Sequence, residues 1–293
     1  MIFVHFMSHQ SRINDALYKI HQDIASPLPA KQLADIACYS EQHFHRVFKQ
    51  VVGQSVHQYI RQCRLEYAGN QLMFDVRCPV IEIANKSGFT SLSSFSRAFK
   101  EQYDLSPGQW RLKSSMNQDR PYLQNPEIKA AYERLKGKGL PKPRIKELPE
   151  YHVAYIRHQG YGRSISKSWR GLQSWCLKEG RSFEYQFGLH HSNPSCVPLD
   201  ECRYVACVQI DKPILKRGHV NSLTIPKGLH VVFRLTGQYG ELLPQLSKIY
   251  EHWLPKSGYK MMSTPSVVRY IKNQFMEDDE SFVLDFCLPI GFY

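Results

Sequence analysis

Two stretches of the chain carry one pattern about fifty residues apart. The first runs Leu33-Ala34-Asp35-Ile36-Ala37-Cys38-Tyr39-Ser40 and continues through Phe44, Arg46, Phe48 and Lys49. The second runs Ile83-Ala84-Asn85-Lys86-Ser87-Gly88-Phe89 and continues through Phe95, Arg97, Phe99 and Lys100. The offset is 50 in the first half of the repeat and 51 in the second, so one residue is inserted near Thr90. Each copy reads as a short helix, a tight turn and a longer amphipathic helix, which is a helix-turn-helix. In the longer helix of each copy, two phenylalanines four apart share the buried face. Val47 and Val51 widen that face in one copy and Ala98 in the other.

A different face of each longer helix, roughly 40–51 and 91–102, carries Gln42, His45 and Arg46, or Ser93, Ser94 and Arg97. These are side-chain types that read base edges in a major groove: Arg pairs bidentately with guanine and Gln with adenine. Lys49, Lys100 and the N-caps Ser40, Ser55 and Ser106 suit phosphates. Gly53 ends one helix before the cap Ser55, and Asp104 ends the other before Ser106-Pro107, an N-cap with Pro at the first helical position. Two such units predict that one chain, as a monomer, spans two adjacent major-groove segments of double-stranded DNA.

Over residues 10–113 the sequence resembles the DNA-binding domain of AraC/XylS-type transcription regulators. The resemblance rests on Ala34, Phe48, Gly53, Tyr59, Arg64, Ala68, Leu72, Ile83-Ala84, Gly88-Phe89, Phe95, Arg97, Phe99-Lys100, Ser106-Pro107 and Arg111. It implies two helix-turn-helix units joined by one long helix, here Ser55–Phe74, and RNA polymerase as a further partner. One departure is Cys38 in the first turn, where Gly88 stands in the second.

Bulk charge is a weaker guide than this pattern. The chain has 12 more Lys and Arg than Asp and Glu, yet residues 1–120 hold 14 basic and 10 acidic side chains. A basic balance favours polyanions without choosing among DNA, RNA and membrane. No apolar run approaches the ~20 residues needed to span a bilayer. Met1–Met7 is apolar but short, without a basic start or a small-residue cleavage pattern, and reads as a segment packing on a first helix at roughly 8–25. In that helix Ile13, Leu17, Ile20 and Ile24 recur at helical spacing. The eight cysteines show no metal spacing and read as reduced thiols of a cytoplasmic protein, with no cofactor and no metal. His190-His191 are adjacent and would point to opposite faces of a strand, so they read as structural or surface residues.

Residues 114–143 are polar and basic, with two glycines and two prolines towards the end, and read as a linker that includes a short helix at Pro126–Leu135. From about Arg144 the pattern becomes that of strands, and a second repeat appears. Val153–Gln159, Gly160-Tyr161-Gly162 and a helix reaching Trp175 are echoed by Leu229–Thr236, Gly237-Gln238-Tyr239-Gly240 and a helix reaching Trp253. Two strand segments follow each helix, at 184–191 and 203–210, then at 265–273 and 281–288. The unit strand-helix-strand-strand, used twice, predicts an α+β domain with an antiparallel sheet and a pseudo-two-fold axis. The groove between the repeats is a natural pocket.

Residues 144–293 resemble the GyrI-like effector-binding domains. The resemblance rests on Gly160-Tyr161, Trp169, Cys202-Arg203-Tyr204, Gly237, Trp253–Tyr259 and Asp285–Ile290. The order of the two halves resembles the Rob-type architecture. It implies a pocket walled by Tyr161, Trp169, Tyr204, Tyr239 and Tyr270, with a Glu two residues before the last Tyr. That position is Val268 here, which removes the counter-ion for a dicationic drug and favours a neutral or anionic small-molecule effector, or protein docking. Glu277–Glu280 reads as a solvated hairpin tip.

The expected architecture is therefore two domains. An all-α double helix-turn-helix occupies 8–113, a basic linker 114–143 and an α+β GyrI-like domain, duplicated strand-helix-strand-strand, 144–293. The expected function is a sequence-specific DNA-binding transcription regulator, not an enzyme. The alternative that the second half implies is a gyrase-binding, toxin-resistance protein or a small-molecule hydrolase. Hydrolysis would need a pocket carboxylate as base, which Val268 removes.

Overall fold

The computed structural model describes residues 2–75, 77–116, 120–212, 214, 219–262 and 264–292. The chain divides into two compact units, residues 1–117 with 215–221, and residues 118–214 with 222–293.

The first unit opens with helix α1, Ile2–Gln22. The apolar N-terminal stretch is thus backbone-continuous with the first helix rather than a separate segment packed on it, because neither Pro nor Gly interrupts the chain before Pro27. Ile13, Ala16, Leu17 and Ile20 are buried along one face of α1. The first helix-turn-helix is α2 (Ala30–Ile36) and α3 (Glu41–Val52), and the second is α5 (Val80–Lys86) and α6 (Leu92–Tyr103). Between them runs α4, Val56–Phe74, started by a capping box in which Ser55 accepts from the Gln58 N–H and Gln58 accepts from the Ser55 N–H. α4 serves two cores. Val56, Tyr59, Ile60 and Cys63 pack with α1, Phe44 and Phe48. Leu65, Ala68 and Leu72 pack with Ile83, Phe95 and Phe99. α7, Pro107–Met116, closes the second core, and its Trp110 indole donates to the Gly69 carbonyl at 3.2 Å.

The inserted residue sits in the second turn. Cys38 and Gly88 share a left-handed backbone, φ 54° and 79°, and the caps that start the longer helices are Ser40 and Ser91. The equivalence therefore shifts by one between Gly88 and Ser91.

Among the described residues the sheet of the second unit has nine strands, ordered β1-β6-β9-β8-β3-β4-β2-β5, with β7 on β9. They are β1 Arg144–Leu148, β2 Tyr151–Gln159, β3 Gln186–His190, β4 Arg203–Gln209, β5 Asn221–Ile225, β6 Gly228–Gln238, β7 Tyr259–Met261, β8 Ser266–Lys272 and β9 Ser281–Phe292. Helix α9, Ile165–Lys178, follows β2; α10, Leu242–Lys248, follows β6 and runs into a wider turn at Ile249–Trp253. The central six strands read the same from either end: first, third and second strand of one repeat, then second, third and first of the other. Antiparallel pairing of β3 with β8 places Gly188 opposite Val268, so the pseudo-two-fold axis passes between these two residues. Val268 pairs onward with Phe286, and Gly188 with Ala206.

The stretch 114–143 is not one tether. Pro121–Gln124 forms a short helical turn and Pro126–Leu135 forms helix α8. Tyr122, Ile128, Ala131 and Leu135 are buried. Arg120 pairs with Glu251, and Lys248 donates to the carbonyls of Leu135 and Lys138, the latter at 2.8 Å, which caps the end of α8. Apolar residues at 122, 128, 131 and 135 supply the contact that the surrounding lysines concealed. Among the described residues of this stretch, 136–143 is the longest run outside helix and strand.

Candidate nucleic-acid interface and ligand pocket

The longer helix of each unit buries its phenylalanines and turns the opposite face outward. In α3, Phe44, Val47 and Phe48 are buried, whereas Gln42, Arg46 and Lys49 are exposed and His45 is half-buried. In α6, Phe95, Ala98 and Phe99 are buried, and Ser93, Ser94, Arg97 and Lys100 are exposed. Each helix has a serine cap: the Ser40 hydroxyl accepts from the His43 N–H and the Ser91 hydroxyl from the Ser94 N–H.

The two faces differ in how their side chains are held. The Arg46 guanidinium meets the His43 ring at 3.0 Å, and His45 lies 3.9 Å from Glu41. The Ser94 hydroxyl donates to the Ser91 carbonyl at 2.9 Å and receives a hydrogen bond from the Ser91 hydroxyl at 2.9 Å. Ser94 is therefore engaged in the cap, and Leu92, 40% exposed at the start of α6, is the apolar group beside it. Two arginines that carry the family resemblance have internal roles. Arg64 donates to the carbonyls of Ile24 and Ser26 at 3.0 and 2.9 Å, and Arg111 donates to the Cys78 carbonyl at 2.7 Å. Arg61 of α4 pairs with Glu101 of α6, a contact that no local spacing announces.

In the second unit the aromatic residues expected at a pocket divide. Trp169, Tyr204, Tyr270 and Val268 are all buried close to the axis. The Tyr204 and Tyr270 hydroxyls are 3.2 Å apart, and the Trp169 ring meets Tyr270 edge-on at 5.6 Å. A Cβ at Gly188 would lie 2.5 Å from the Tyr204 hydroxyl, so Tyr204 occupies the space that glycine leaves beside Val268. Tyr161 donates to the carbonyls of Ser192 and Arg203 at 3.0 and 3.2 Å and meets Tyr204 edge-on. Burial pushes the phenols of Tyr161 and Tyr204 well above the ordinary range, and the Tyr270 phenol also upward. Tyr239 stands apart: its ring lies under the Arg163 guanidinium, 4.0 Å away, and Arg163 bridges Glu127 and Glu280. His190 packs between Tyr161 and Tyr204, and burial holds its pKa down at about 4. The acidic run is a turn between β8 and β9, where Asp279 pairs with Lys272 at 2.7 Å and Glu280 with Arg163. Seven of the eight cysteines are buried. Among the described residues, no three His, Cys, Asp or Glu side chains gather as a metal site, and no helix is long and apolar enough to cross a membrane.

A profile of a helix-turn-helix domain matches residues 33–113, and one of the GyrI-like small molecule binding domain matches residues 141–290, half of the chain. The regulatory protein SoxS of Escherichia coli (strain K12) is 37% identical over 105 residues, which cover 36% of this chain and 97% of SoxS. This chain is an AraC-type regulator with a GyrI-like domain. The transcriptional regulator Rob of Salmonella typhimurium is 34% identical over 108 residues, 37% of either chain. Among solved structures, the EcmrR–DNA complex aligns with 90% of this chain at 14% identity and a TM-score of 0.45. The AraC-type reader thus occupies the first unit, and the GyrI-like sheet and helices the second.

Proposed function

We propose that this regulator reads DNA with α3 and α6 as one chain, setting them into two adjacent major-groove segments. The observation that carries the reading is the pair of repeated helices with equivalent exposed faces. Gln42, His45 and Arg46, with Ser93, Ser94 and Arg97, face bases, and Lys49 and Lys100 hold phosphates. The arginines at equivalent positions, Arg46 and Arg97, are the strongest candidates for guanine, because each stands exposed on a helix whose opposite face is locked into a core. Ser94 is held by two cap hydrogen bonds at 2.9 Å and Ser93 by a longer one to the Ser91 hydroxyl at 3.3 Å, so Ser93 and Leu92 are the more available groups at the start of α6. The GyrI-like domain then senses a small molecule, and RNA polymerase is the partner through which the bound regulator acts.

Selection of operators from random duplexes, followed by affinity measurements on point-substituted operators, tests this. Substituting Arg46 or Arg97 by Ala should relax discrimination at one base pair each. A uniform loss over all sequences would assign the residue to phosphate instead. A footprint confined to a single groove segment would refute the two-helix reading.

A further inference from the structure

The sheet of the second unit has two unlike faces. Rings on one side cover it: Trp169 of α9 on Tyr270, Tyr250 on Phe286 and Trp253 on Phe233. Residues of alternate parity point to the other face, and there lies a cavity of about 140 Å³. The register builds its wall row by row. Arg234 pairs across the strands with Asp285, Asp285 with Arg269, and Arg269 with Phe187. The next row is Arg144, Val232, Cys287 and Val267, and Lys146 follows beside His230.

The charge of this wall is uneven. Asp285, 9% exposed, receives hydrogen bonds from Arg234 at 2.6 and 3.1 Å and from Arg269 at 3.1 Å. One carboxylate is thus shared by two guanidinium groups, and Arg144 and Lys146 of the edge strand add two more cations. The other titratable groups facing the cavity do not offset them. Burial favours the neutral form of His230 and pushes the Cys287 thiol up to about 12. Tyr151, whose ring packs on Phe187 at 4.9 Å, is also held neutral by burial. The rest of the wall is apolar: Leu148, Phe187, Val232 and Val267.

We propose that the cavity on this face binds a small organic monoanion, a carboxylate on an apolar body, with the anion held by Arg144 and Lys146 beside the Arg234–Asp285–Arg269 row. The site is distinct from the aromatic cluster at the axis, which lies on the opposite face of the same strands. The cation excess selects an anion, because two guanidinium groups share one carboxylate and Arg144 and Lys146 add further positive charge beside them. The apolar wall selects a body with little polarity. The size selects a ligand below the drug range, whose pockets begin at about 300 Å³. The proposal goes beyond DNA reading and stands without it.

Titration calorimetry of the full chain with benzoate, against its neutral isostere benzamide and against inorganic phosphate, tests the site. Benzoate should bind with a Kd of about 1 mM or tighter, and both comparators about tenfold or more weakly. Arg144→Gln and Lys146→Gln lie on an exposed edge strand and should keep the fold. Each should weaken benzoate on the order of threefold, and the double variant about tenfold. Benzoate bound equally well by the double variant would place the ligand elsewhere and overturn the proposal. So would absence of benzoate binding to the unmodified chain, or phosphate bound as tightly as benzoate. Operator affinity is measured on the same variants: its loss would make Arg144 and Lys146 DNA contacts and overturn the site, whereas its retention leaves the two readings separately tested.

Discussion

Gly88→Ala is the change that most sharply tests how the two helix-turn-helix units are joined. Gly88 sits at φ 79° in the turn between α5 and α6. A side chain in that left-handed conformation costs roughly 1–2 kcal/mol, offset by about 0.4–1 kcal/mol from a stiffer unfolded chain. The larger effect is steric. A Cβ there would lie 2.8 Å from the Arg64 guanidinium carbon and 2.9 Å from the Ala25 carbonyl oxygen. Arg64 is fixed by its two hydrogen bonds to the carbonyls of Ile24 and Ser26, at 3.0 and 2.9 Å. Hydrogen bonds to a charged donor contribute about 1.5–3 kcal/mol each, and displacing Arg64 strains both. The expected destabilisation is therefore roughly 3–5 kcal/mol. Cys38, at φ 54° in the equivalent turn, is exposed, and Cys38→Gly should change stability by about 1 kcal/mol or less, in the favourable direction. Native-state hydrogen exchange of the full chain, read on peptides from α4 to α6, measures both. The reasoning fails if Gly88→Ala exchanges within about 0.5 kcal/mol of the unmodified chain, or if Cys38→Gly is as damaging as Gly88→Ala.

Arg46→Ala and Arg97→Ala should each lose roughly 1–3 kcal/mol of discrimination at one guanine position, measured as the ratio of affinities for matched and substituted operators. Because Val268 supplies no carboxylate and its neighbours are buried aromatics, a planar dicationic dye should show no appreciable binding to the unmodified chain; tight binding by fluorescence titration would contradict this. Asp285→Asn should destabilise the second unit by about 1–3 kcal/mol in urea unfolding, less than for a fully buried pair because both arginines reach solvent. Burial raises the Asp285 pKa, but the hydrogen bond and charge of Arg234, with those of Arg269, bring it net below the usual 3.8. Its stabilisation is thus complete above pH 3.8 and is lost as the pH falls through the lower folded value, a slope that Asp285→Asn should remove.

The repeat at the start of the chain was legible because its signals are local. Phenylalanines four apart, serine caps and a turn residue declare a helix-turn-helix without any distant partner. The duplicated strands were legible for the same reason, their alternation and spacing recurring 77 to 80 residues apart. What escaped depends on contacts between distant segments. Tyr122 and Ile128 read as parts of a basic tether, because their partners lie on α10, more than a hundred residues away. Arg64 and Arg111 carried the resemblance without a role that spacing could assign, and each holds a backbone carbonyl some thirty to forty residues earlier. Asp285 sits one residue from Phe286, the partner of Val268, and its parity in β9 sends it to the other face of the sheet. That face emerges only once four strands are set in register.

The pseudo-two-fold axis has a consequence for stoichiometry. A homodimer built on such an axis would present every off-axis site twice. Here the two halves are one polypeptide, free to differ. The row that reads Arg234, Asp285 and Arg269 in the second repeat reads Arg157, Val205 and Leu189 in the first. Fusion thus lets the two halves of a symmetric scaffold differ: the first repeat keeps one cation, Arg157, beside Val205 and Leu189, and the second sets two arginines about a carboxylate. An anion recognised by that row finds one seat per chain, in one orientation.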